Sequence, residues 1–204
     1  ECDNLKFVKL PDIVKTGWYD YILHNEIFDN TAGGMHFGWG WGSIKHSPMS
    51  NLKVSYNYIH DILNKNLYDS GSIYNVGPWG KAYTAQNEIS YNYMTEQYNR
   101  CGVMYSDQGS TNIHWKKNVI DLSMIDRWYA ERGSGTRQNP SMLNGDMGSK
   151  VTNITFEDIY TTTDYHLAST EIPSDAQAAA KLYPDANWPQ EALSIIENSG
   201  IEPA

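Results

Sequence analysis

Tyr56-Asn57-Tyr58-Ile59 and Tyr91-Asn92-Tyr93-Met94 are two copies of one phrase, with looser copies at His24-Asn25-Glu26-Ile27 and Lys117-Asn118-Val119-Ile120. Each closes a short alternating run. Three are followed by a Gly-led apolar and aromatic stretch: Gly34-Met35-His36-Phe37-Gly38, Gly71-Ser72-Ile73-Tyr74-Asn75 and Gly102-Val103-Met104-Tyr105-Ser106. The Asn-to-Asn intervals are 32, 35 and 26 residues. Such spacing is too uneven for a helical repeat and natural for a coil whose turns carry insertions. Strand, Asn, strand, turn, repeated, reads as an all-β chain: a right-handed parallel β-helix, a solenoid whose turns stack ~4.8 Å apart.

Working outward, strand-length alternation occurs at Tyr19 to Leu23, Leu52 to Tyr58, Glu88 to Tyr93, Asn112 to Asn118 and Val151 to Tyr160, with Asp158 standing where earlier turns have Asn. Asn tolerates the left-handed conformation that sharp corners need, and stacked Asn side chains can bond the turns above and below. Asn25, Asn57, Asn92 and Asn118 are therefore read as structural. Beyond Leu167 the composition shifts. Ala176 to Leu182 and Glu191 to Asn198 predict two short helices, the second stopped at Gly200. The expected organisation is residues 1–170 as stacked turns and 171–204 as a helical tail packed on them.

Composition narrows the function classes. The chain has 204 residues and a net charge of -9, with no basic run to neutralise phosphates, so nucleic acid is an unsuitable partner. No apolar segment reaches the ~20 residues that span a bilayer. Charged residues make up 19%, against 15 Tyr, 7 Trp and 16 Gly, which suits a sheet-rich protein with an aromatic surface. Cys2 and Cys101 have no partners at metal spacing and are expected to be unpaired or buried. No cofactor or metal is expected: His24, His36 and His60 recur at related points without ligand spacing.

Two insertions, Gly38 to Ser50 and Ile125 to Ser149, bring Trp39, Trp41, Trp128 and the loop arginines Arg127, Arg132 and Arg137. Long loops in a compact repeat commonly carry function. With Trp79 these Trp residues are candidate stacking walls for sugar rings. Asp69 lies just before the strand ending in Tyr74, and Asp107 just after the corresponding strand of the next turn. Acetal hydrolysis needs two carboxyl groups, one to protonate the leaving oxygen and one to attack carbon or activate water. Adjacent turns could supply such a pair. Asp-Ser-Gly and Asp-Gln-Gly are also ordinary turn chemistry.

Asp69-Ser70-Gly71-Ser72-Ile73-Tyr74-Asn75-Val76-Gly77 and Gly102-Val103-Met104-Tyr105-Ser106-Asp107-Gln108-Gly109-Ser110 resemble two motifs of the right-handed β-helix glycoside hydrolases. The nearest are family 141 and, more distantly, family 120. The resemblance spans roughly residues 19 to 122 and reappears in Asn187-Trp188-Pro189-Gln190-Glu191-Ala192. It implies a fucosidase-, xylanase- or xylosidase-like enzyme acting on oligo- or polysaccharide, secreted or periplasmic. It assigns the catalytic pair to Asp69 and Asp107. Tyr74, Tyr105, Gln108, His36, His60 and Arg127 join the four Trp residues as expected substrate contacts. Gln108 stands where many relatives have Glu, and the relatives are several hundred residues long, so the likeness is to their C-terminal portion. An intermolecular contact or a further segment is then expected at the N-terminal edge, near Lys6 to Leu10. The rival readings are a polysaccharide lyase or uronate epimerase, and a non-catalytic glycan-binding module.

Overall fold

The computed structural model describes residues 20–38, 49–64, 69–79, 87–98, 102–123, 141–144, 152–163 and 178–202, with backbone alone at 141–144 and 152. Among these, the strands fall into three parallel sheets. The first holds β1 (Asp20–Leu23), β4 (Leu52–Ser55), β7 (Asn87–Ser90), β10 (Thr111–Lys116) and β13 (Thr152–Glu157), in that spatial order. The second holds β2 (Glu26–Ile27), β5 (Tyr58–Ile59), β8 (Tyr93–Thr95), β11 (Val119–Asp121), β14 (Ile159–Thr161) and β15 (Ala180–Leu182). The third holds β3 (Met35–Phe37), β6 (Ile73–Asn75), β9 (Gly102–Ser106) and β12 (Ser141–Asn144). From β1 to β12 the chain visits the three sheets in turn, each circuit adding one strand to each; β13 and β14 then join the first and second sheets, and β15 joins the second again.

The alternating runs after the first each bend once. Leu52 to Tyr58, for instance, is not one strand but β4 and the start of β5, broken at Tyr56 and Asn57. Tyr56 has φ 56°, and His24, Tyr91, Lys117 and Asp158 hold the matching corners at 54°, 57°, 49° and 51°. A left-handed residue costs about 1–2 kcal/mol when it has a side chain. Here the outward-thrown side chains stack: the rings of His24 and Tyr56 lie 5.1 Å apart, and those of Tyr56 and Tyr91 5.2 Å, each pair nearly parallel.

One residue later comes the asparagine ladder. The backbone N–H of Asn25 donates to Oδ1 of Asn57, that of Asn57 to Asn92 and that of Asn92 to Asn118, each at 3.0 Å. The side-chain amides donate along the same line at 2.8 to 2.9 Å. Asn57, Asn92 and Asn118 are fully buried, so these bonds satisfy groups that water cannot reach. The ladder ends one position earlier than the sequence suggested. Register pairs Val119 with Tyr160, which sets Asp158 opposite Lys117 and Ile159 opposite Asn118. Asp158 is a corner residue, not the next asparagine.

Between the sheets lies one apolar core. Alternation turns Val54, Ile89 and Trp115 inward from the first sheet, Ile59, Met94 and Ile120 from the second, and Met35, Ile73 and Met104 from the third. Burying each such side chain contributes about 1.5–3 kcal/mol. Helix α1 (Gln190–Asn198) lays Ala192 and Ile195 on Val119 and Tyr160 of the second sheet. No helix among the described residues is long and apolar enough to cross a membrane.

The expectation of a right-handed parallel β-helix with a helical tail needs correction. The described strands form three separate parallel sheets, and no closed solenoid is traced through them. The tail is not wholly helical either. Ala180–Leu182, expected in a helix, forms β15 and pairs in parallel with Ile159–Thr161. The reason is the open edge of β14: its unpaired N–H and C=O groups need partners, and the tail supplies them. A further strand, β12, lies inside the stretch read as a long loop insertion.

Candidate functional site

The third sheet carries the site. Its strands alternate, so Met35, Ile73 and Met104 face the core while His36, Tyr74 and Tyr105, in register with one another, point to the other face. Asp69 precedes β6 and Asp107 follows β9, at opposite ends of neighbouring strands. They are nonetheless brought to the same tyrosine pair. The Tyr74 hydroxyl donates to Oδ2 of Asp107 at 2.6 Å, and the Tyr105 hydroxyl donates to Oδ1 of Asp69 at 2.9 Å. The two rings meet edge to face, centroids 4.9 Å apart, the arrangement that the aromatic quadrupole favours. Each carboxylate is thus held by the tyrosine of the neighbouring circuit.

Turn chemistry sets the Asp107 end. Its backbone N–H donates to the Asn75 carbonyl, its carbonyl accepts from Ser110 N–H, and Gly109 takes φ 75° to close the turn. Asp107 lies in a turn as its motif suggests but is only 8% exposed, whereas Asp69 is exposed. Tyr74 and Tyr105 are also buried, at 7% and 8% exposure. Burial pushes the Tyr74 phenol well above the ordinary range, helped by its bond to Asp107 and by the charges of Asp107 and Asp69. It remains a proton donor at every physiological pH. The free oxygens of the two carboxylates, Oδ1 of Asp107 and Oδ2 of Asp69, make no hydrogen bond among the described residues.

His36 joins this group. Its ring lies 5.2 Å from that of Tyr74, and its Nε2 is 2.6 Å from the Ser70 hydroxyl. The residue is exposed as a whole, but the ring edge that meets Ser70 is desolvated, and this lowers its pKa. Ser70 went unnoticed in the sequence because Asp-Ser-Gly reads as turn chemistry. The signal that could have found it is Gly33. A Cβ there would lie 2.1 Å from Ser70 Oγ and 2.5 Å from His36 Nε2.

The remaining expected contacts divide. Gln108 is exposed beside Asp107, and its carbonyl accepts from Gly77 N–H. Trp79 is fully buried in the core, edge-on to Phe37 with centroids 5.2 Å apart, so it cannot be a sugar-stacking wall. Its apolar bulk fills the core beside Phe37. Expected with the aspartates, His60 belongs instead to the second sheet's face, following β5. There it lies between Glu26 (3.2 Å) and Glu96 (3.7 Å) and stacks on Tyr58. Trp39, Trp41, Trp128, Arg127 and the cysteines lie outside the described residues, as does Lys6 to Leu10. No group of three or more His, Cys, Asp or Glu able to hold a metal ion occurs among the described residues. A hollow lined by His24 and residues 197–202 offers two glutamates, Glu197 and Glu202, but no paired carboxylates braced by tyrosines.

Compared with family models, curated proteins and solved structures, the chain matches none. The likeness to glycoside hydrolase family 141 therefore stands on the quoted motifs.

Proposed function

We propose that this chain is a secreted or periplasmic carbohydrate-active enzyme that hydrolyses glycosidic bonds with Asp69 and Asp107. The observation that carries the reading is the crossed pair of tyrosine–aspartate bonds. It brings two carboxylates from different circuits to one ring pair and leaves one oxygen of each without a partner among the described residues. Asp107, nearly buried and gripped at 2.6 Å, has the fixed orientation that a nucleophile or water-activating base needs. Asp69, exposed and held less tightly at 2.9 Å, is the more accessible of the two and suits the acid. It protonates the leaving oxygen as the anomeric bond breaks. Whether the sugar's configuration is retained or inverted follows from the distance between the free oxygens in the loaded site.

Non-catalytic glycan binding is the second reading. The burial of Asp107, Tyr74 and Tyr105 favours it, because a carboxylate at 8% exposure meets substrate only if the site opens. A panel of fucosides, xylosides and galactosides, assayed with the wild type and with Asp69→Asn and Asp107→Asn, separates the two. Hydrolysis abolished by both substitutions supports the enzyme. Sugar binding without turnover by the wild type supports the binding module. Unsaturated products from a uronate polymer would point to a lyase.

A further inference from the structure

Ser70 is fully buried, and among the described residues its hydroxyl has one hydrogen-bond partner, Nε2 of His36 at 2.6 Å. That single contact determines where the proton sits. Were Nε2 protonated, it would donate to Ser70 Oγ, and the buried Ser70 O–H would have no acceptor. Leaving a buried donor unmade costs about 1–3 kcal/mol. Ser70 therefore donates and Nε2 accepts. A neutral imidazole that accepts at Nε2 carries its proton on Nδ1. The desolvation of the ring acts in the same direction by disfavouring the doubly protonated form. The bare backbone at Gly33 is what allows the two side chains to meet.

His36 stands in register with Tyr74 and Tyr105, on the sheet face that carries the two aspartates. Its Nδ1 makes no hydrogen bond among the described residues. We infer that Ser70 is a positioning residue that locks His36 as the neutral Nδ1–H tautomer, so that His36 offers a hydrogen-bond donor to an uncharged sugar oxygen beside Asp69 and Asp107. A neutral donor supplies no counter-charge for a uronate carboxylate, so the substrate class is neutral glycosides. The tautomer stands on geometry alone; the ligand class rests on the glycosidase reading.

The test is a long-range proton–nitrogen correlation spectrum of the nitrogen-15-labelled chain at neutral pH, with the His36 signals assigned by their loss in His36→Phe. The expected result is a neutral ring protonated at Nδ1, and a shift to the Nε2–H form or a mixture in Ser70→Ala. A wild-type ring protonated at Nε2 overturns the proposal, whether or not Ser70→Ala folds. So does an unchanged Nδ1–H ring in a folded Ser70→Ala chain. His36→Phe should raise KM for a neutral glycoside about 3- to 10-fold, the loss of one neutral hydrogen bond, with kcat within about 2-fold. An unchanged KM, or a wild type that turns over no neutral glycoside, removes the ligand class and leaves the tautomer to the spectrum.

Discussion

Asn92→Ala should be among the most damaging single substitutions in this chain, and its cost can be worked from its bonds. The Asn92 side chain takes part in five hydrogen bonds: it accepts from Asn57 N–H and Asn57 Nδ2 and donates to Val54 O, Ser90 O and Asn118 Oδ1. Removing it leaves the buried Asn57 N–H without an acceptor, which costs about 1–3 kcal/mol. The Asn57 amide keeps its bonds to Ile22 O and Ser55 O, so it adds little. Three oxygens, those of Val54 and Ser90 and Asn118 Oδ1, lose a donor, a smaller loss because under-satisfied carbonyls are better tolerated and Asn118 Oδ1 keeps the Asn92 N–H. The vacated space adds a cavity term, for a total of about 3–5 kcal/mol. Asn25 is the control: it ends the ladder, is only half-buried, and accepts nothing from a preceding asparagine among the described residues. Asn25→Ala should cost about 1 kcal/mol. Urea unfolding monitored by tryptophan fluorescence measures both. Were Asn92→Ala to lose under 1 kcal/mol, or Asn25→Ala to lose as much, the ladder would not hold the circuits together as described.

Other outcomes follow from the site and the tail. Asp69→Asn and Asp107→Asn should each lower kcat by about 100-fold or more on a hydrolysed glycoside while leaving the circular dichroism spectrum unchanged. Tyr74→Phe should lower kcat more than it raises KM, because it frees the Asp107 carboxylate without touching substrate; equal losses in both would assign Tyr74 to binding. Trp79→Ala should cost about 3–5 kcal/mol in unfolding free energy, and a folded variant that had lost only sugar affinity would contradict its core position. Glu191 has its pKa lowered by bonds from Lys117 and Tyr160. Its contribution is present above the ordinary carboxylate value of 4.5 and is lost as pH falls through the lower folded value. The melting temperature of the wild type should therefore fall more steeply below pH 4.5 than that of Glu191→Gln. His36 titrates with its folded pKa lowered from 6.5. The neutral, partly desolvated ring favours the folded state above 6.5 and loses that advantage as pH falls below it, so His36→Phe should flatten the stability profile there.

Much of this was legible because backbone geometry leaves a residue-level trace. The asparagines announced the corners, since few other side chains can bond two circuits at once. The Gly-led stretches announced β3, β6 and β9. Asp158 misled, because Asn and Asp share a liking for left-handed backbone and only register tells a corner from a ladder position. β12 was hidden in a loop-like composition, and β15 in an alanine-rich segment whose intrinsic helix preference yields to the pull of an open sheet edge. At the site, Asp69 and Asp107 could be named from motif likeness, but their link could not. It runs through Tyr74 and Tyr105, residues read as substrate contacts, whose hydroxyls grip the carboxylates. Trp79 shows the opposite error: aromatic residues read as binding walls pack equally well inside.

The left-handed corners carry one more implication. At Tyr56 and Tyr91 an unfavourable backbone and a favourable ring stack sit on the same residue. Glycine there would relieve the first and forfeit the second, two effects of about 1 kcal/mol and opposite sign. Such positions are near-neutral to mutation although their neighbours, one residue on, are not. Lys117 in the fourth circuit already occupies the corner without a ring. Over evolutionary time sequence drift should therefore collect at the corner and stop at the asparagine beside it, giving a variable residue locked in step with an invariant one.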